Sequence, residues 1–380
     1  MSTVAQVPTI QSNLEHATTP DRWPALDGLR GLMTVGVLLA HVHYSWLPGS
    51  ILFMDSFFMM SSFFITRLLL KDWRRNGRLR LGNFYLRRAK RLFPALVLMV
   101  AFVWAVDSTV RPPGEPAYLH IWGALFYFGN WLRAFGIPHN PLLGHTWSLS
   151  IEEQFYALWP LLFWAGLVFS GRCHIKSESS SDGPEVNTRF WLVALLGVAA
   201  LTVVWRAHLA LSGAPYWRLY NGTDMRLDSL SIGAALAISF RSAFAQKLGR
   251  ILCAPWLVWV MLIVMMAAVT TVDVRWMNWY IWQEPLCVLL SAGLLIALLQ
   301  TPHRWGLKFL FQNRVSLYLG SICYGLYLWH YPLIELSREM LHWSPAKVLL
   351  ICGPATVILA SLSYFLVELP ALGGRKGSAR

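Results

Sequence analysis

Long apolar runs recur along the whole chain, near residues 26–46, 51–70, 92–108, 155–170, 190–210, 254–272, 284–300, 316–336 and 346–368. Each approaches the roughly 17–25 residues a helix needs to cross hydrocarbon. A bilayer core offers no water to backbone amides, so runs of this kind cross as helices with every peptide group satisfied internally. Composition agrees, because 56% of residues are apolar and 13% charged, against about 25% charged in a soluble globule. The expected fold is therefore all-α, a polytopic membrane helix bundle. Its 20 Trp, 13 Tyr and 20 Phe suit the aromatic belts at membrane interfaces.

Charge orients the helices. The stretch from Lys71 to Arg91 holds Arg74, Arg75, Arg78, Arg80, Arg87, Arg88 and Lys90 against the single acid Asp72, which marks it as cytoplasmic. Lys247 with Arg250, Arg304 with Lys308 and Arg314, and Arg375 with Lys376 mark further cytoplasmic segments. An even number of crossings must then separate residues 71–91 from the mixed-charge linker at 172–189. On that count the short run at 119–132 is re-entrant or interfacial, while the one at 229–241 spans. About ten spanning helices result, with both termini cytoplasmic. The organisation expected is a disordered tail over 1–25, a membrane domain over 26–370 and a C-terminal tail over 371–380. No cleavable signal peptide is expected in the polar first 25 residues. The net charge of +13 reads as topology and not as nucleic-acid binding, because the basic residues lie between apolar runs. Four of the five cysteines, Cys253, Cys287, Cys323 and Cys352, lie in or beside those runs, and Cys173 sits in the polar linker. Their spacing matches neither a disulfide framework nor a metal site.

Several ionisable residues exceed what membrane stability requires. Arg30 and His41 are eleven positions apart in the first run, only some 20° from three full helical turns and about 16 Å along the axis. Ionisable groups inside a span normally face a cavity or pathway. A neutral histidine is a natural general base for a hydroxyl, and a permanently charged arginine suits phosphate. A histidine capping a helix end and a snorkelling arginine are the structural alternatives, and Asp27, one turn before Arg30, is its candidate partner. Arg87, Arg88 and Arg91 open the third run, where they either grip a phosphorylated ligand or simply mark the cytoplasmic side. Glu152 and Glu153 follow Ser148 and Ser150 at the head of the fourth crossing. One of them serves the helix N-terminus, and Glu153 is expected to assist a histidine or acceptor hydroxyl on the outer side. Arg226 and Asp228 are possible supporting groups, as is His330, whose aromatic flanks read first as an interfacial anchor.

Together these segments resemble the acyltransferase 3 family of integral membrane O-acyltransferases over Leu26 to Pro370, nearly the whole chain. Arg30 to His41 is similar to its Arg-x10-His motif, Phe84 to Pro94 to its Phe-Tyr-x-Arg-Arg-x-x-Arg signature, and Trp147 to Tyr156 to its Ser-Leu-Ser-x-Glu-Glu segment. Thr223 to Gly233 and Tyr324 to Pro332 also resemble family segments. One departure is Ser62, which stands where the family's Asp-x-Phe-Phe-x-x-Ser-Gly-Phe pattern has glycine, so close helix packing is expected to differ there. The resemblance implies an acyl-CoA donor, with acetyl-CoA the expected one, bound from the cytoplasm near Arg30, Arg87, Arg88 and Arg91. It places His41 at the chemistry with Glu153 in support, and it implies no tightly bound cofactor and no metal. The acceptor it implies is a carbohydrate-containing molecule such as a cell-surface polysaccharide, glycolipid or lipopolysaccharide, and the location a bacterial inner membrane. In size the chain is similar to stand-alone members without the SGNH hydrolase-like domain, among which macrolide O-acyltransferases offer a glycosylated natural product as alternative acceptor. A transporter or flippase of an anionic or acylated sugar is the reading from another class, although matching broken helices of a repeat-built carrier are not seen. Single cysteines placed at residues 71–91 are expected to resist an impermeant thiol reagent in intact cells; ready labelling from outside would overturn this topology.

Overall fold

The structure, a computed structural model, describes residues 23–110, 117–138, 140–169, 186–273, 275–300 and 307–373. Cys173 and most of both expected tails lie outside them. The described residues are helical throughout, without strands. In order they form α1 (Pro24–Val42), α2 (Ile51–Asn76), α3 (Leu81–Val110), α4 (Ala117–Leu125), α5 (Gly129–Ala134), α6 (Thr146–Phe169), α7 (Thr188–Leu211), α8 (Tyr216–Asn221), α9 (Leu227–Ser239), α10 (Ala243–Leu252) and α11 (Pro255–Thr271). A π-helical turn (Trp279–Gln283) leads into α12 (Glu284–Gln300), followed by α13 (Leu307–Phe311), α14 (Arg314–Ser321), α15 (Cys323–Glu339) and α16 (Pro345–Ser363). A second π-turn (Tyr364–Glu368) and the short α17 (Leu369–Ala371) close the chain.

Six helices are long and apolar enough to cross a membrane, seven if α9 and α10 form one span bent by 111°. This is fewer than the expected ten. The 229–241 run, expected to span alone, forms the 13-residue α9, whose length of about 20 Å falls short of a hydrocarbon core of about 30 Å. α11 is similarly short at 17 residues, and α15 breaks its apolar pattern with His330, Glu335 and Arg338. The 119–132 run, expected not to cross, divides into α4 and α5, neither long enough to span.

α7 displays the logic of a lipid-facing helix. Val193, Leu196, Leu201 and Val204 point outward while Trp191, Leu195 and Arg206 point inward. α2 lies at the centre, packed closely against α9. Ser62, at the position where glycine was the usual residue, is fully buried and donates to the Met59 carbonyl at 3.0 Å. Its partner supplies the missing space, because any Cβ on Gly233 of α9 would collide with the Met59 carbonyl and Ser62 Oγ. The close approach survives with the small residue on the other helix.

Five buried charges tie the centre together. Arg206 of α7 bonds Asp228 of α9 at 2.7 Å and Glu284 of α12 at 2.8 Å. Arg226, at the start of α9, bonds the same Glu284 oxygen and Asp55 of α2, the latter at 3.3 Å. Carbonyls add to the shell: Met225 and Tyr280 accept from Arg206, and Tyr220 accepts from Arg226. Removing one partner of such a cluster strands the others without compensation, which typically costs about 3–5 kcal/mol. Arg206→Met and Arg226→Met are each expected to lower the thermal unfolding midpoint of the detergent-solubilised protein, read by scanning fluorimetry. An unchanged midpoint in both would show that the cluster does not hold these helices.

Candidate active site

α1 joins two polar centres. At its last turn, His41 Nδ1 lies 2.9 Å from the Val37 carbonyl and 3.1 Å from Nε2 of His330 on α15. His330 Nδ1 in turn lies 3.1 Å from the Leu326 carbonyl. A carbonyl can only accept, so His330 carries its proton on Nδ1 and presents a bare Nε2. His41 then also carries its proton on Nδ1, shared between the Val37 carbonyl and His330. This arrangement engages Nδ1 and leaves Nε2 of His41 as the ring nitrogen without a protein partner among the described residues. Two backbone carbonyls, each one turn back along its own helix, thereby orient a pair of imidazoles.

A third imidazole completes the group. His145, immediately before α6, is 1% exposed and stacks on Tyr331 with ring centres 4.9 Å apart, while Tyr331 stands edge-on to His41 at the same distance. The Tyr327 hydroxyl donates to the His145 carbonyl at 2.9 Å and meets Ser148 Oγ. The head of α6 is thus locked against α15.

At the other end of α1 an arginine–carboxylate cluster forms. Arg88 lies 3.6 Å from Glu153 and packs its guanidinium 3.7 Å above the Tyr156 ring. Tyr156 bonds Ser61 of α2. Arg30, Arg88 and Arg91 all act electrostatically on Glu152, and Arg30 also feels Asp27 and Cys323. Arg91 is exposed despite standing within electrostatic reach of Arg30, Arg88 and Tyr156. The Tyr324 hydroxyl donates to the Leu92 carbonyl at 2.9 Å, fastening α15 to this end of α3.

The structure therefore gathers Arg30, Arg88 and Arg91 as the sequence suggested, with Asp27 and Glu152 beside them. Arg87 is exposed and joins none of these contacts. Glu153, expected beside a histidine on the outer side, pairs with Arg88 instead. The reason is helical rise: Glu153 follows His145 by eight residues, about 12 Å further along the axis and toward the arginine end. Arg226 and Asp228 support the central charge cluster and do not line the histidine group. His330, read first as an interfacial anchor, is 1% exposed and bonded to His41. His145 was passed over although it opens the segment that holds the two glutamates; a histidine just ahead of a helix that carries paired acids was the available signal. Outside the helices, Asp273 accepts from Tyr44 at 2.8 Å and pairs with Arg275 at 2.6 Å. The hydrogen bonds from Arg275 hold that carboxyl well below the usual carboxylate range.

An all-helical bundle with six apolar helices long enough to cross a membrane is that of a multi-pass membrane protein, here with a histidine pair at one end of its first helix and an arginine cluster at the other. The chain belongs to the acyltransferase 3 family, whose model, described as an acyltransferase domain, matches residues 23–365. It is 29% identical to the peptidoglycan O-acetyltransferase OatA of Listeria monocytogenes, over 91% of this chain and 55% of that protein. It is 30% identical to the putative peptidoglycan O-acetyltransferase YrhL of Bacillus subtilis, over 93% of this chain and 56% of that protein. A putative O-acetyltransferase of Staphylococcus aureus is 28% identical, over 91% of this chain and 57% of that protein. The chain spans little more than half the length of these relatives. No solved structure matches it.

If His330 fixes the proton position of His41, His330→Ala should lower acyl transfer by about 10- to 100-fold, as removal of an orienting partner usually does. His43 is exposed beyond the helix end and bonded to Ser45 at 2.7 Å, so His43→Ala should transfer at nearly the wild-type rate. Equal losses in the two variants, measured on matched amounts of folded protein, would contradict this assignment.

Proposed function

We propose that the protein is an O-acyltransferase that moves an acyl group, acetyl being expected, from acyl-CoA to a hydroxyl of a carbohydrate-containing acceptor. The observation that supports it best is the His41 imidazole, held through Nδ1 by Val37 and His330 about 16 Å along α1 from the cluster of Arg30, Arg88 and Arg91. Donor phosphates suit the arginines, and the thin pantetheine arm suits the path along α1 toward the imidazole. The names of the relatives favour a peptidoglycan glycan as the acceptor. In this reading the arginine end faces the cytoplasm of a bacterial inner membrane, as do both termini.

Chemically, His41 removes the hydroxyl proton as the acceptor oxygen attacks the thioester carbon, an effect worth roughly 10²- to 10⁴-fold. An acyl-imidazole on His41 is the two-step variant. Glu152 and Glu153 then hold the arginines in place and are not partners of the base.

Full-length protein reconstituted in nanodiscs, given labelled acetyl-CoA and solubilised peptidoglycan glycan strands, should label the strands and release CoA. His41→Ala should nearly abolish transfer while donor binding persists. Arg91→Ala should raise the apparent KM for acetyl-CoA with a loss that depends on salt. Donor binding without transfer by the wild type would favour a carrier, and near-wild-type transfer by folded His41→Ala would remove the histidine from the mechanism.

A further inference from the structure

Beside the histidines stands a cation without a carboxylate partner among the described residues. Arg133 of α5 faces the Trp217 ring at 5.0 Å, and its one hydrogen bond among the described residues runs from Nε to Asn221 Oδ1 at 3.3 Å. Its Nη1 is buried and has no hydrogen-bond partner among the described residues. Neighbouring arginines behave differently: Arg218 pairs with Asp224 and Arg338 with Glu335. A buried charged donor is costly to leave unmatched, so this nitrogen is available to an anionic or carbonyl oxygen of a substrate.

Gly144 locates the unpaired nitrogen. A Cβ built on Gly144 would lie 2.9 Å from Arg133 Nη1 and would collide with the Tyr331 hydroxyl. The two donors are therefore neighbours, brought together over a residue that has no side chain to separate them. Tyr331 is the ring that stacks on His145 and stands edge-on to His41. Arg133 acts electrostatically on His41, His145 and Tyr331 alike. No carboxylate among the described residues pairs with Arg133, so a negative charge that forms during the reaction would find an uncommitted cation there.

We infer that Arg133 Nη1 and the Tyr331 hydroxyl are the oxyanion-binding donors of the acyl-transfer reaction, an inference that rests on the function proposed above. As the acceptor oxygen bonds to the thioester carbon, His41 takes the hydroxyl proton and the carbonyl π electrons move onto oxygen. That oxyanion receives the two donors. Its collapse re-forms the carbonyl and breaks the C–S bond, and the CoA thiolate leaves with the proton from His41. The same oxyanion forms, and the same donors serve, if the acyl group passes first to His41. Preorganised donors in a dry site need no reorientation as charge develops, and losing one typically costs about 10²- to 10³-fold in kcat.

The test uses reconstituted full-length protein with labelled acetyl-CoA and solubilised peptidoglycan glycan strands. Arg133→Gln should lower kcat by about 10²- to 10³-fold, and Tyr331→Phe should lower it by at least about tenfold, with the KM for acetyl-CoA changed by less than about twofold in both. Added guanidinium at millimolar concentration should partly restore Arg133→Ala, a rescue that a folding defect would not allow. Gly144→Ala, which forces the two donors apart, should reproduce the loss in kcat. The inference is overturned by near-wild-type kcat in folded Arg133→Gln and Tyr331→Phe, or by a loss confined to the acceptor KM, which would make Arg133 an acceptor anchor. His41→Ala, assayed in parallel, separates the two readings: if it is inactive while the Arg133 and Tyr331 variants are active, this inference alone fails.

Discussion

The buried cluster of Arg206, Arg226, Asp55, Asp228 and Glu284 is the constraint on which the rest of the fold depends. Charges this deep have no water to solvate them, so each helix must meet its partners in a single register. Four helices contribute, and a shift of one residue in any of them would turn a charged side chain about 100° away from its partners. The π-turn at Trp279–Gln283 belongs to this arrangement, because Tyr280 offers Arg206 Nε a carbonyl at 3.2 Å. Such turns loosen the regular helix ladder and often mark functional sites.

From that centre the constraint reaches the histidines through aromatic contacts. Arg226 lies 6.0 Å from the Trp147 ring centre and 5.8 Å from that of Tyr220, and the two rings pack at 4.9 Å. Trp147 is two residues beyond His145, so a change in the register of the charge cluster would also displace the third imidazole. Stability and chemistry thus share one set of helices. α1 separates the tasks by length alone, with the arginines gathered near its start and the imidazoles near its end.

Much of this was legible from residue order. The apolar runs required an all-helical membrane fold, because the backbone has no other solution in lipid. The eleven-residue interval from Arg30 to His41 placed both on one helical face, whereas Arg88 and Arg91, at the mouth of the third apolar run, came near Arg30 only through the family resemblance. Sequence was less informative about which helices span. Length and composition do not distinguish α9 as a straight crossing from α9 and α10 as a bent pair, because the two differ in their neighbours: α9 packs against α2 and α7, and α10 against α12.

What the sequence determined by itself is the class of fold, the two chemical ends of α1 and the membership of an acyltransferase family, all of which depend on spacing within single helices. What only the tertiary structure decided is which residues meet across helices. His330 joins His41 over 289 positions, Glu153 turns to Arg88, and Arg133 stands unpaired beside Tyr331. Arg133 is unpaired there only as far as the described residues go, and the two helix-to-helix contacts depend on how far each helix has risen when it passes its neighbour. Periodicity fixes the face a side chain occupies, whereas its height relative to another helix is fixed by packing, and at this site the height selects the partner.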